Sequence, residues 1–325
     1  MTNVKNSIPL TCSICGFSSN DVNDFKTNEI NRSGFWCPCC DGFTAWSGKR
    51  KQKYYVIYET NAHAEKDTVR SSFPVRVSPL RYPGGKSLLT PYIHKQLNPD
   101  CAEAFIEPYA GGASVGLALL LSDNIKELYL NDIDYGIYSL FWSIKNEPQC
   151  LTERIRTFNP SKDAFKDAQK TVKNGYQGMD MLDAGWTCLV VNRLAYSGIW
   201  NANCMSNPAA RWNPKTLVRR IENIHRKADH IHLSCMDALS YIEEMYWMPH
   251  ATMFVDPPYF QKGHMLYQNY YSEKDHERLI RLLDDLYKSM PGADILVSYD
   301  DVETVRVQFR FPDEEIIGRR YSITN

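Results

Sequence analysis

The chain has 325 residues, 43% of them hydrophobic and 12% aromatic, with a formal net charge of −1. That length allows two domains and a sizeable core, and charged residues at 23% exclude a disordered or collagen-like chain. No run approaches the roughly 20 apolar residues of a membrane span, and the opening MTNVKNSIPL lacks the apolar stretch of a secretory signal, so a soluble, cytoplasmic protein is expected.

Five of the ten cysteines fall in the first 40 residues. Cys12 and Cys15, then Cys37 and Cys40, repeat a Cys-x-x-Cys spacing that can aim two thiolate pairs at one tetrahedral ion. Their surroundings are too short and polar to fold on apolar burial alone, so zinc binding would supply folding free energy. Cys39 is an alternative ligand to Cys40. Four thiolates leave no open position at the metal, so the zinc is expected to be structural. Residues 1–59 form this zinc-ribbon-like module. Its basic and aromatic residues (Lys49, Arg50, Lys51, Lys53, Trp46, Tyr54, Tyr55) suit either a nucleic-acid-facing surface or a solvated strand edge. Residues 60–77, polar and closed by Pro74, read as a linker.

Three motifs follow. RYPGGKS at 81–87 is a glycine-paired loop that lacks the spacing of a Walker A loop. FIEPYAGGASV at 105–115 describes an apolar strand end, a glycine turn and a helix start, the first βα unit of a doubly wound sheet. Downstream, LYLND looks like a second strand. It ends at Asp132, about 20 residues beyond the glycines, the spacing that sets a carboxylate on ribose hydroxyls. In MFVDPPYF at 253–260 an apolar strand ends in an acid, two prolines and an aromatic. The prolines fix the path of the chain. Asp256 and the Pro257 carbonyl then form a preset acceptor pair, and Tyr259 offers a planar face. That set suits an exocyclic amino group on a flat base.

With these motifs in this order, residues 78–325 resemble the Dam-type (D12 class) DNA adenine-N6 methyltransferases. LNDID at 130–134, VNRLAYSG at 191–198 and MDALSYI at 236–242 add to the match. The resemblance implies a Rossmann-like, S-adenosylmethionine-dependent methyltransferase sheet of α/β class with an inserted, mainly helical DNA-recognition domain. It implies that Tyr82 and Lys86 contact the cofactor or hold its loop. Glu107, Pro108, Gly111 and Gly112 would line the methionine end, Asp132 the ribose and Asp237 the adenine. Asp256, Pro257, Pro258 and Tyr259 would form the catalytic loop around a flipped adenine, with Asp256 also at the cofactor. The zinc module is not part of the common pattern, and the end at RRYSITN leaves the last strands of the sheet unassigned.

These expectations divide the remainder into a cofactor half at 78–145, a target-recognition insertion at 146–231 and a catalytic half at 232–325. Residues 146–235 hold 13 basic against 8 acidic side chains. Arg211, Lys215, Arg219, Arg220, Arg226 and Lys227 face a single acid, Glu222, and suit phosphate contacts. Asn192, Arg193, Tyr196, Ser197, Asn201 and Asn203 offer groups that read base edges. Double-stranded DNA is the expected partner, with no membrane, a monomeric state, a bacterial or phage source, and a restriction endonuclease as a candidate partner. Cytosine-C5 transfer is excluded because the catalytic loop has no nucleophilic cysteine. RNA adenine-N6 transfer, cytosine-N4 transfer and a nucleic-acid-binding regulator with an inactive methyltransferase domain are the alternatives. A dehydrogenase fits least, because DPPY has no role in hydride transfer.

Overall fold

The computed structural model describes residues 10–12, 15–19, 34–36, 39, 43–45, 52–60, 73–74, 76–82, 85–260, 270–289 and 291–318. Two short antiparallel pairs come first: β1 (Leu10–Thr11) with β2 (Ser18–Ser19), and β3 (Gly34–Trp36) with β4 (Phe43–Ala45). Seven further strands form one sheet among the described residues. They are β5 (Tyr54–Thr60), β6 (Ala104–Glu107), β7 (Glu127–Asn131), β8 (Ile231–Ser234), β9 (Ala251–Val255), β10 (Asp294–Asp300) and β11 (Asp313–Gly318). Their order is β11-β5-β10-β9-β6-β7-β8, and every neighbouring pair is parallel.

Parallel strands need crossover connections, and helices supply them on both faces. Helices α1 (Thr90–Gln96), α2 (Ser114–Leu121), α3 (Tyr135–Asn146), α4 (Pro148–Thr157), α5 (Lys162–Lys173), α6 (Met181–Leu194) and α7 (Pro214–His225) contribute to one core. Helices α8 (Ala238–Met245), α9 (Glu273–Ser289) and α10 (Glu303–Arg306) contribute to the other. Strand periodicity divides the apolar residues between them. Ile57, Phe105, Phe254 and Leu296 face the first core, while Val56, Tyr58, Ile106, Met253, Val255, Ile295 and Val297 face the second. Among the described residues, no helix is long and apolar enough to cross a membrane.

The strand order reverses between β6 and β9. From β6 the chain proceeds through β7 to β8 on one side, and β9 and β10 extend the sheet on the other. A crevice at the carboxyl ends of the strands opens at such a switch point, and the motif-bearing turns stand there.

The sequence-based boundary places residues 54–59 with the N-terminal module and Thr60 with the linker, whereas β5 pairs with both β10 and β11 inside the large sheet. The run YYVIYE is buried on both faces, so no amphipathic alternation marked it as a sheet interior. Tyr54 is core rather than nucleic-acid surface: it is 2% exposed and its hydroxyl meets Asp284. The Lys53 ammonium donates to the Gln96 carbonyl at 2.5 Å. The position between β10 and β11 is thus filled from the N-terminal side of the chain.

The helices of residues 146–231 share the core of the sheet rather than building their own. Leu151, Ile155, Leu189, Leu217 and Ile221 lie in one cluster with Phe105, Leu117 and Leu128. At the N-terminus, the Cys15 amide donates to the Cys12 thiol sulfur at 3.5 Å and the Gly16 amide to the Cys12 carbonyl at 3.1 Å. Gly16 takes φ of +76° there. Cys37 and Cys40 lie outside the described residues. Among the described residues, no group of three or more His, Cys, Asp or Glu side chains is placed to hold a metal ion.

A chain starting at residue 78 would lose β5 and with it Val56, Ile57 and Tyr58, each 0% exposed. Burial of each is worth about 1.5–3 kcal/mol, comparable in total with a domain's net stability of about 5–15 kcal/mol. The truncated chain is expected to lose its cooperative thermal transition by circular dichroism. A sharp transition within a few degrees of the full chain's would show that β5 is dispensable.

Candidate active site

The turns after β6, β7, β8 and β9 surround a cleft of about 480 Å³. Tyr82, Lys86, Glu107, Pro108, Gly111, Gly112, Asp132, Asp237 and Asp256 all line it, so the structure gathers the expected cofactor-side residues at one place.

Glu107 ends β6 and is 4% exposed, with Oε1 accepting the Gly116 amide at 2.7 Å. A Cβ at Gly116 would stand 2.4 Å from the Leu128 side chain and 3.0 Å from Glu107 Oε1, so a larger residue would have to displace them. Burial pushes the Glu107 carboxyl up to about 8, with the nearby Asp256 charge adding to the rise and the Gly116 amide opposing it. Asp132 follows β7 and braces the glycine turn: Oδ2 accepts the Gly111 amide at 2.8 Å and Oδ1 the Asp134 amide at 2.9 Å. Burial, then the Asp134 charge, pushes Asp132 up to about 7. A carboxylate has about four acceptor positions, so two backbone donors leave capacity for ligand hydroxyls. Asp237 caps α8 through the Ser240 amide at 3.1 Å and faces the cleft from the β8 side.

Buried Asn131 joins three of these turns, a role its place in the LND run did not announce. Its Nδ2 donates to the Pro108 and Met236 carbonyls at 3.0 and 3.1 Å, and its Oδ1 accepts the Met236 amide at 2.9 Å.

On the loop after β9, expected to be catalytic, Asp256 and Pro258 line the cleft. The Tyr259 ring does not offer itself as an open stacking face: it is 6% exposed, and its hydroxyl accepts from the Lys86 ammonium at 2.9 Å. Lys86 also pairs with Asp256 at 2.8 Å and with Glu59 at 2.5 Å. Aromatic residues lining the cleft include Tyr82, Tyr109, Trp200, Tyr270 and Tyr271, with Tyr109 and Tyr271 joined through their hydroxyls at 2.8 Å.

The expected DNA-side residues separate into two groups. Asn192 is buried, with its amide engaged by Arg81 N and O at 2.7 and 2.8 Å and by the Gly198 carbonyl at 3.2 Å. It is a brace, and base-edge reading does not fit that burial. Gly198 has φ of +78°, and a Cβ there would stand 2.2 Å from the Arg81 carbonyl. Tyr196, Asn201, Arg211, Lys215 and Arg219 are exposed. Arg193 donates to the Arg211 carbonyl at 2.9 Å and Arg220 to the Ser78 carbonyl at 2.9 Å. Burial, then Arg81, Arg220 and Arg211, lowers Arg193 to about 10. Burial followed by Arg211 lowers Arg81, and burial followed by Arg76 and Arg219 lowers Arg220. Among the described residues, no carboxylate forms an ion pair with these six guanidiniums.

A parallel, doubly wound seven-stranded sheet with acids at the strand ends beside its switch point is of the Rossmann-like α/β class. The family model for the D12 class N6 adenine-specific DNA methyltransferases matches residues 82–322, and the chain belongs to that family. It is also similar to the Type II methyltransferase M.MjaIII of Methanocaldococcus jannaschii, 22% identical over 198 residues that cover 55% of this chain and 68% of that protein.

The raised Glu107 value has a consequence for stability. The folded, ligand-free protein keeps a proton that the unfolded chain releases near 4.5, so this group's contribution falls as pH rises from there towards 8. Glu107→Gln keeps the acceptor for Gly116 and removes the titration. The variant is expected to melt above the parent at pH 8–9, with the difference shrinking towards pH 5. A pH-independent difference in melting temperature would contradict the assignment.

Proposed function

We propose that the cleft binds S-adenosylmethionine and that the chain methylates N6 of an adenine swung out of double-stranded DNA. The observation that carries this reading is the set of acids at the ends of β6, β7 and β9 beside an arginine cluster, in a chain of the D12 family.

The donor set suits the cofactor. Glu107 and Asp237 offer carboxylates to cationic and amino groups, Asp132 to ribose hydroxyls, and the Gly111–Gly112 backbone permits close approach. When bound, S-adenosylmethionine supplies a methyl group on a cationic sulfonium. The amino nitrogen of adenine is a poor nucleophile because its lone pair is delocalised into the ring. Asp256 and the Pro257 carbonyl would accept its two N–H groups and favour a pyramidal nitrogen with a localised pair. Catalysis then rests on positioning and fixed charge, and no covalent enzyme intermediate is needed.

Arg76, Arg81, Arg193, Arg211, Arg219 and Arg220 suit the phosphate backbone. Like charges held together raise the energy of the free protein, and a polyanion relieves them. Phosphate contacts alone do not choose a sequence. The repeated Cys-x-x-Cys spacing of Cys12/Cys15 and Cys37/Cys40 is the ground for proposing a structural zinc.

Incubation with S-adenosylmethionine and unmethylated DNA is expected to yield N6-methyladenine by nucleoside mass spectrometry, and Asp256→Ala to abolish it. N4-methylcytosine would change the target base, and methylation of RNA alone would overturn the DNA substrate. Arg211→Ala and Arg219→Ala are each expected to weaken binding to all DNA sequences alike. Each should lower the slope of log affinity against log salt by about 1. Elemental analysis of the purified protein is expected to find one zinc per chain, lost in Cys12→Ser.

A further inference from the structure

The family match begins at residue 82, yet one carboxylate at the catalytic loop comes from upstream of it. Glu59, near the carboxyl end of β5, has a fully buried side chain 2.5 Å from Lys86 Nζ. The Ser298 hydroxyl of β10 donates to Glu59 Oε1 at 2.7 Å, fixing the carboxylate from the sheet side. The same ammonium reaches Asp256 at 2.8 Å and the Tyr259 hydroxyl at 2.9 Å. Among the described residues, the ammonium thus stands within ion-pair distance of two carboxylates and donates a hydrogen bond to one phenol hydroxyl.

We propose that Glu59 is a positioning residue for methyl transfer, acting through Lys86 on the charge and orientation of Asp256. This rests on the reading of the cleft as an adenine-N6 methyltransferase site. In transfer, the N6 lone pair forms the new N–C bond as the S–CH3 bond breaks, and that bond's electron pair stays on sulfur. Positive charge therefore moves from sulfur to N6, and an N6 proton then leaves to water. Two carboxylates on one ammonium give the Glu59–Lys86–Asp256 group a net charge of −1 beside the nitrogen that becomes positive. Without the Glu59 charge the group is neutral, and Lys86 bears wholly on Asp256, which weakens Asp256 as an acceptor. Glu59 also keeps the Lys86 ammonium against the sheet, so the catalytic loop is anchored to β5 and not only to β9.

The test uses the full chain and the variant Glu59→Gln, which keeps shape and an acceptor but loses the charge. Single-turnover methylation is expected to slow about 10- to 100-fold, the scale of losing one preorganised electrostatic group. Dissociation constants for S-adenosylmethionine and DNA should stay within about threefold, and the melting transition should stay cooperative. A rate within twofold of the parent overturns the proposal. So does a rate loss matched by an equal loss of cofactor affinity, because a merely structural role predicts that pattern. If Glu59→Gln does not fold, Ser298→Ala loosens the carboxylate while leaving every charge in place. A rate reduced severalfold at unchanged affinities then supports the proposal, and an unchanged rate overturns it. A parent chain that methylates no nucleic acid removes the underlying reading, and this inference with it.

Discussion

One buried ammonium ties β5, the loop after β9 and the segment before α1 together. Lys86 is 4% exposed and stands between Glu59, Asp256 and Tyr259. Removing a charge from water costs several kcal/mol, and only close, well-directed partners offset that cost. The three partners come from β5 and from the loop after β9, while Lys86 itself precedes α1. All three segments must therefore be in register before the site exists. The sheet supplies that register: Val255 pairs with Val297, and Glu59 with Asp300 three residues further along β10. Glu59 thus lies beyond the level at which β9 ends, where the Asp256 loop has left the sheet.

A second organising feature is the separation of charge that a net value of −1 conceals. Acids gather at the strand ends, and both Glu107 and Asp132 are pushed above the usual carboxylate range, chiefly by desolvation. Arginines gather on the flank formed by α6, α7 and the Arg76–Arg81 stretch, where burial first and their mutual repulsion second lower Arg193, Arg81 and Arg220. Each group is poorly compensated on its own.

The motifs around β6, β7 and β9 were legible because their signals are local. An apolar run, an acid and a glycine or proline turn define a strand and its exit within about ten residues, and the acids end at one cleft wherever those strands pair in parallel. Asn131 was visible as a residue but not as a brace, since its partners Pro108 and Met236 lie 23 and 105 positions away. Tyr259 was read as a planar face for a base because it follows the rigid proline pair, whereas Lys86 holds its hydroxyl in a buried position. Asn192 was read as a base-contacting amide, but the Arg81 backbone and Gly198 take both ends of its side chain. YYVIYE did hold one overlooked sign: it ends in an acid, as FIE and FVD do.

By itself the sequence determined the strand-ending acids, the glycine and proline turns and the basic run at 211–227, because propensity, turn chemistry and charge act over short distances. Only the tertiary structure decided that β5 belongs to the large sheet, that Glu59 reaches Lys86, and that Arg76, Arg81 and Arg193 join Arg219 and Arg220. A buried parallel strand carries no mark of its partners, and β5 meets its neighbour β10 some 240 residues along the chain. Which strands pair depends on burying both cores at once, and that is a property of the whole chain.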